Sequence, residues 1–276
     1  MDLSSAIGMV AGLGLIFGAI FMEGNAGLYL SIHGFMITLG GIVASLFIAY
    51  PLKDVLRTFR YVRAVFFVRN SYDFPLFINT FEEYARVIRR EGPIAMERAM
   101  ERFDDEFYKQ GCQLVADGIA SDKIEDILSK DIESMQERHK VGQEMFRFGV
   151  QAGPAFGLIG AVIGIIQMLG ALGEGQAGPE TIAKMAAGMG IAMCATLYGI
   201  TLAYLIFAPI AQKLTKRSDE EIGEKLLLME GILALQAGDP ASLVRQRMEA
   251  LLPPAIRKRA IPVAKQPKVQ ATAEAQ

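Results

Sequence analysis

Four long stretches of the chain contain no Asp, Glu, Lys or Arg, and they constrain the fold more than any other feature. They cover residues 3–22, 28–52, 148–173 and 185–212. A helix rises about 1.5 Å per residue, so about 20 apolar residues cross a hydrocarbon core about 30 Å thick. Each stretch reaches that length, and the second and fourth are long enough to tilt. The pattern predicts four transmembrane helices in a lipid bilayer and excludes an ordinary soluble protein.

The charges between the stretches predict the orientation. Basic residues follow the second span, precede the third and follow the fourth. The connections 23–27 and 174–184 together contain one basic residue, Lys184. Basic flanks stay on the cytoplasmic side, so we expect an inner-membrane protein with both termini in the cytoplasm. A cleaved signal peptide is the alternative for the first stretch. It is disfavoured because Asp2 is the only charge before that stretch and the second span follows at once.

The predicted fold class is an all-α integral membrane protein with a helical cytoplasmic domain between spans two and three. The predicted segments are a transmembrane hairpin (1–52), the cytoplasmic domain (53–147), spans three and four (148–212), cytoplasmic C-terminal helices (213–252) and a disordered tail (253–276). The tail has too few large apolar residues to offset the entropy lost on ordering.

Local signals indicate helices in the cytoplasmic domain. Asp73 is a predicted N-cap with Pro75 in the first turn. That helix is expected to end at Gly92-Pro93. Further helical runs are expected over 94–111 and 121–136, the latter continuing into span three without a stop signal. Span four is expected to extend inward in the same way.

Catalysis finds little support in the sequence. The two cysteines lack CxxC spacing and are too few for a disulfide framework, the two histidines lie far apart, and no phosphate loop, HExxH or GxSxG motif occurs. The carboxylates around Glu97 are typical of a solvated helix face. We therefore expect no enzyme, no cofactor, no metal site and no nucleic-acid partner.

Span three carries a glycine pattern. Gly153, Gly157, Gly160 and Gly164 are spaced by 4, 3 and 4 residues, which places them on one helical face. Such a face lets another helix backbone approach closely. Span four carries a similar set of small residues, namely Gly188, Ala192, Ala195, Gly199 and Ala203. By itself the pattern indicates only a packed helix, since small residues recur in many membrane bundles.

Three other residues allow two interpretations each. Pro154 and Pro209, at the inner ends of spans three and four, are either ordinary kinks or a paired hinge at the cytoplasmic mouth of a pathway. Thr196, near the middle of span four, either bonds the preceding helical turn or lines a wet path. Spacing alone does not separate these alternatives.

The absence of Asp, Glu, Lys and Arg from all four spans is informative. Proteins that move protons normally place an ionisable relay in the membrane. Either this chain moves no ions or a partner chain supplies the carboxylate.

Several motifs resemble the MotA family of flagellar motor stator subunits over about residues 3–252. They are Gly40-Gly41, Pro51-Leu-Lys-Asp, Pro154-Ala-Phe-Gly-Leu-Ile-Gly, Gln167-Met-Leu, Ala192-Met-Cys-Ala-Thr196-Leu-Tyr-Gly-Ile and Pro209-Ile-Ala-Gln-Lys-Leu. Order, spacing and the four-span layout all agree. The related ExbB and TolQ proteins usually have a single span before the cytoplasmic region, so the first hairpin favours MotA.

The resemblance implies a mechanism and a set of partners. Such subunits form a homo-oligomeric ring around a MotB dimer, whose membrane helix carries the ion-binding aspartate. It implies that Thr196 faces this aspartate, that Tyr204 lies two turns further inward, and that Pro154 and Pro209 are the prolines of the cytoplasmic mouth. It also implies rotor contacts with the switch protein FliG, made by Arg89, Arg90 and Glu97.

One departure bears on the ion. Sodium-driven members have threonine at the position matched by Ala161, which offers no side-chain oxygen to a dehydrated cation. The resemblance therefore implies proton coupling. Two other functions stay open: an ExbB/TolQ-type energiser of an envelope system, and a membrane scaffold that conducts no ions.

Overall fold

The computed structural model describes residues 3–67, 73–92, 104–173 and 178–252, and the regular elements within these ranges are helices. Helix α2 has three parts, Ile32–Phe35, a π-helical turn at Met36–Gly40 and Gly41–Ala49, and it follows a 3-10 turn at Ala26–Tyr29. The other helices are α1 (Leu3–Met22), α3 (Leu52–Phe67), α4 (Phe74–Glu91), α5 (Glu106–Ala116), α6 (Ser121–Gly173), α7 (Pro179–Gln236, with a π-helical part at Leu202–Phe207) and α8 (Ala241–Ala250).

Three segments are long and apolar enough to cross a membrane, namely Ala26–Ala49, α6 and α7. In α1 the part Ile7–Met22 is apolar but shorter. Helices α6 and α7 contain 53 and 58 residues. At 1.5 Å per residue each is roughly 80 Å long, more than twice a hydrocarbon core of about 30 Å. Both helices therefore continue well beyond any bilayer they cross, as the sequence predicts, and the all-helical class is confirmed.

The chain divides into two compact units. Unit 1 comprises residues 1–70 and 135–219, and unit 2 comprises 71–134 and 220–276. In unit 1, α2 and α6 pack against α7. Large apolar side chains such as Leu158 and Ile166 stay exposed on α6.

Unit 2 is built around a core of large buried side chains. The rings of Phe81 on α4 and Tyr108 on α5 meet edge to face, 5.8 Å apart. Amphipathic helices form here because each places its apolar residues on one face. The largest fully buried side chains of this core are those of Ile78, Phe81, Tyr108, Val115, Ile124, Leu128, Leu227, Leu228, Ile232 and Met248.

Helix boundaries in unit 2 test the local signals. The Asp73 carboxylate accepts a hydrogen bond of 3.1 Å from the backbone N–H of Leu76, and α4 ends at Gly92, whose φ is +83°. Both predictions are confirmed. The expected end of a helix at Gly111 is wrong, because α5 continues to Ala116 and Gly111 instead gives room for the side chain of Ile232. The first part of that run and the tail 253–276 lie outside the described residues.

Candidate functional site

The glycine face of α6 lies directly against α7. A Cβ on Gly153 would stand 2.6 Å from the carbonyl oxygen of Gly199, and one on Gly157 would stand 3.1 Å from that of Ala195. A side chain at Gly153 would collide with the backbone of α7, and one at Gly157 would force that backbone to shift by a few tenths of an ångström. The two helices are therefore in close backbone contact. Gly160 and Gly164 continue the same contact along Ala195, Ala192 and Gly188.

Thr196 lies on the part of α7 that contacts the glycine face of α6. A Cβ on Gly157 would be 3.3 Å from its Cα. The half-buried hydroxyl of Thr196 donates to the carbonyl oxygen of Ala192, at 3.1 Å, within its own helix. The structure therefore places the hydroxyl in the back-bonded arrangement that the sequence left as one of two alternatives.

The other residues singled out for the ion pathway are more spread out. Ala161 is half-buried on α6, and Tyr204 is 62% exposed in the π-helical part of α7. Thr196 and Tyr204 are eight residues apart on one helix, which is about 12 Å along its axis. The structure therefore does not bring these two side chains into contact.

The two prolines lie inside continuous helices. Pro154 is half-buried in α6, and Pro209 is exposed in α7 two residues after the π-helical part Leu202–Phe207. A proline removes a backbone donor and crowds the carbonyl four residues earlier. π-helical turns change the local hydrogen-bond register and are frequent at functional sites. Neither this π-helical turn nor the one at Met36–Gly40 was predicted from the sequence.

Hydrogen bonds connect α2 and the residues just before it to α7, and they were not predicted from the sequence. The buried hydroxyl of Thr38 lies 2.7 Å from the carbonyl oxygen of Gly34 and 3.3 Å from that of Ala195. The backbone N–H of Ser31 donates to the Tyr198 hydroxyl at 2.9 Å, and this hydroxyl donates to the carbonyl of Tyr29. Polar residues in an apolar stretch were the available signal, but sequence does not show which distant residues meet.

The predicted rotor-facing arginines occupy the end of α4 in unit 2. Arg89 and Arg90 are exposed in its last turn, where cations interact favourably with the helix dipole. Glu97 lies outside the described residues.

A cluster of charges surrounds the start of α5 in unit 2. The Asp105 carboxylate caps α5 by accepting from the N–H of Tyr108 at 2.9 Å, and it pairs with Lys225. Burial raises the pKa of neighbouring Glu224 to about 7; the positive charge of Lys225 opposes this rise, and Asp105 and Glu221 add to it. In the part of the chain that the structure describes, no three His, Cys, Asp or Glu side chains are grouped to hold a metal ion.

Comparison with known proteins points to one family. Residues 99–225 match the model of the MotA/TolQ/ExbB proton channel family. The chain is 32% identical over 255 residues to motility protein A of Borreliella burgdorferi, covering 92% of this chain and 95% of that protein.

Two solved structures share the fold. One is the structure of C. jejuni MotAB, with a TM-score of 0.79, 27% identity and coverage of 92% of this chain and 96% of the other. The second is the flagellar MotAB stator complex from Bacillus subtilis, with a TM-score of 0.77, 29% identity and coverage of 94% and 98%.

Proposed function

The chain belongs to the MotA/TolQ/ExbB proton channel family, among its motility proteins, and from this we propose that it is a channel-forming subunit of a flagellar motor stator. It couples proton flow to torque on the rotor together with a MotB-like partner. The observation that carries the proposal is the end-to-end correspondence with one chain of each of two MotAB structures, over 92% and 94% of this chain.

The partner has a specific task in this proposal. The four charge-free stretches contain no Asp, Glu, Lys or Arg that could carry a proton, and a proton path through the bilayer normally uses an ionisable group. The resemblance to the MotA family implies that the MotB-like chain supplies this group, an aspartate on its own membrane helix. Copies of this chain form the ring that surrounds it.

Placement in the membrane follows from the charge pattern. Three segments reach spanning length, and α1 supplies the fourth span with its 20 residues. Because the basic residues flank the same ends of the spans, both termini and unit 2 belong on the cytoplasmic side of the inner membrane.

The contact between α6 and α7 gives the mechanism its moving part. Their backbones touch at Gly153 and Gly199, so the two helices shift together when the partner's aspartate changes charge next to Thr196. Pro154 and Pro209 are the hinge positions, and Tyr204 lines the inner end of the pathway. Both helices run on without interruption into unit 2, so displacement reaches it through continuous backbone.

Ion choice and rotor contact complete the proposal. The methyl group of Ala161 offers no oxygen ligand to sodium, which supports proton coupling. Sodium-dependent rotation after transfer of the stator pair to a motile host would contradict it.

The rotor contact is made by Arg89, Arg90 and Glu97, which meet complementary charges on the rotor protein FliG. Electrostatic steering and repeated engagement matter more there than one strong ion pair.

An ExbB/TolQ-type energiser and a non-conducting scaffold were the alternatives. The relative from Borreliella burgdorferi is a motility protein and the two matched structures are of MotAB, which favours the stator. The scaffold differs from a stator in one measurable way, since it conducts no protons.

The test is to co-express the chain with a MotB-like partner, open the channel and follow cytoplasmic pH. We expect acidification with the intact partner and none when its membrane aspartate is replaced by asparagine. An assembled complex without acidification or sodium flux would identify a scaffold.

A variant of this chain makes the test more specific. Thr196→Ala is expected to lower the proton flux, because the hydroxyl lies where the partner's aspartate is proposed to pass. Thr201→Ala is the matched control on the same helix, since Thr201 lines an apolar crevice of about 510 Å³ shared with α1. Equal flux losses in both variants would contradict the role given to Thr196.

A further inference from the structure

One arginine on the last described helix connects α8 to α4 in unit 2. The Arg245 guanidinium donates to the carboxylate of Glu82 at 2.7 Å and to the side-chain carbonyl of Asn79 at 2.6 Å, both on α4. It also donates to Glu249 on its own helix at 3.1 Å. Arginine suits this position because its planar fork presents several donors at fixed angles.

The contact is better formed than an ordinary surface ion pair. The side chains of Arg245, Glu82 and Glu249 are 28%, 18% and 16% exposed. Charge-assisted hydrogen bonds are stronger where water is partly excluded, whereas isolated exposed pairs contribute little. Three partners on two helices also fix the position of the guanidinium.

The residues of α4 that Arg245 holds share a helical face with the exposed arginines. Asn79, Glu82 and Arg86 are spaced by three and four residues, and Arg89 and Arg90 follow at the same spacing. The second oxygen of the Glu82 carboxylate accepts from Arg86. One carboxylate therefore joins the guanidinium of α8 to the basic end of α4.

Apolar packing alone leaves the register of these helices less well defined. Ile78 and Phe81 on α4 and Val244 and Met248 on α8 are buried in the same core. Burial of apolar surface is not directional, so it holds the helices together without specifying how far one slides or turns along the other. The hydrogen bonds of Arg245 are directional and supply that register.

We propose that Arg245 is a positioning residue for torque transfer: by binding Asn79 and Glu82 it fixes the rotation of α4 and thereby the direction in which Arg89 and Arg90 face the rotor. The inference rests on the proposed rotor contact. Arg245 takes no part in proton movement, so its loss separates torque from conductance.

The chain contains a matched control on the same helix. Arg247 also makes two ionic contacts, to Glu230 at 2.6 Å and to Asp239 at 2.7 Å, but both partners lie on α7 or just after it. Its side chain is 34% exposed, close to the value for Arg245. Arg247→Gln therefore removes a comparable set of bonds from α8 without releasing α4.

The experiment compares Arg245→Gln with Arg247→Gln in the full chain, assembled with its MotB-like partner in a motile host. Stall torque and proton conductance are measured in the same strains, with subunit levels in the membrane as a check on assembly. We expect Arg245→Gln to lower stall torque by about twofold or more at unchanged conductance, and Arg247→Gln to leave torque nearly unchanged. Equal torque in the two variants would overturn the proposal.

Two further variants test the route of the effect. Glu82→Gln should reproduce the torque loss, and the Glu82→Gln, Arg245→Gln double variant should lose no more than either single variant. Arg245→Lys keeps the charge without the fork and should recover part of the torque; it also replaces Arg245→Gln if that subunit fails to assemble. Additive losses in the double variant would contradict the proposed pair.

Failure of the rotor contact itself is recognised separately. Reversing both exposed charges with Arg89→Glu and Arg90→Glu tests that contact directly. Unchanged torque after the reversal would overturn the rotor contact and the inference with it. A torque loss after the reversal, together with equal torque in Arg245→Gln and Arg247→Gln, would overturn the role of Arg245 alone.

Discussion

The two units of this protein pack their helices with opposite kinds of residue. Unit 1 brings α6 and α7 together through glycine and alanine, with backbone atoms of one helix against those of the other. Unit 2 packs its helices around large side chains, Phe81 and Tyr108 among them. Among the described residues with large side chains less than 2% exposed, Ile42 is the one member from unit 1.

The difference agrees with the surroundings proposed for the two units, lipid for unit 1 and water for unit 2. In water, burying apolar area is the main driving force, so large side chains give the most stabilisation. Between helices in lipid that force is absent, because acyl chains are as apolar as leucine. Close van der Waals contact and short polar bonds remain, and small residues provide the first of these. Packing style therefore distinguishes the two units independently of hydropathy.

The largest expected effect comes from adding a side chain to the glycine face. Gly164→Leu would place its Cβ against the backbone of Gly188 and Ala192, which has no room to yield. We expect the complex with the MotB-like partner to be lost, because overpacking against backbone forces the helices apart. Gly170→Leu is the control on the same helix, since a Cβ there meets no atom within 4 Å. Recovery of normal amounts of complex with Gly164→Leu would contradict the close packing.

Unit 2 should respond most to the opposite change, a cavity. Phe81→Ala removes a fully buried ring in contact with Tyr108 and should lower the free energy of unfolding by about 3–5 kcal/mol. Phe77→Ala, on the same helix but half-buried, should have a clearly smaller effect. Thermal unfolding of the purified full chain measures both. Equal losses would show that the depth of burial does not decide how much each ring stabilises unit 2.

A smaller effect is expected from the charges of unit 2, where the stability should depend on pH through Glu224. The pKa of Glu224 is raised by burial from an ordinary 4.5 to about 7 in the folded chain. The folded state therefore holds this proton more tightly, and the stabilisation present below about pH 4.5 is lost as pH rises through about 7. Because the positive charge of Lys225 opposes the rise, we expect a change in stability of roughly 1 kcal/mol between pH 5 and 8.

Glu224→Gln supplies the comparison for this pH effect. The amide does not ionise, so the difference in stability between the variant and the original chain should change in that pH range. Subtracting the two profiles removes the contributions of the two histidines, which are present in both. A difference that stays constant with pH would show that the Glu224 carboxyl does not titrate there.

Features that depend on neighbouring residues were predicted correctly from the sequence, whereas contacts between residues far apart in the chain were not. The charge-free stretch 3–22 coincides with α1, and Asp73 caps α4 as predicted, because both depend only on neighbouring residues. The prediction that a helix ends at Gly111 was wrong. A glycine stands there because the side chain of Ile232, far along the chain, occupies the space that a Cβ would need. The same limit concealed the hydrogen bond between Ser31 and Tyr198, which are 167 residues apart. The two π-helical turns were not predicted either.

The smallest expected effect tests the polar half of packing in unit 1. Thr38→Val keeps the shape of a fully buried side chain and removes the hydroxyl that bonds the carbonyl of Ala195 on α7. Hydrogen bonds between membrane helices contribute about 0.6 kcal/mol on average. We therefore expect thermal unfolding of the complex to show only a slightly lower melting temperature. Ser45→Ala is the control, since its hydroxyl bonds Ile42 within α2. A loss as large as that of Gly164→Leu would mean that polar bonds, and not close backbone contact, hold α2, α6 and α7 together.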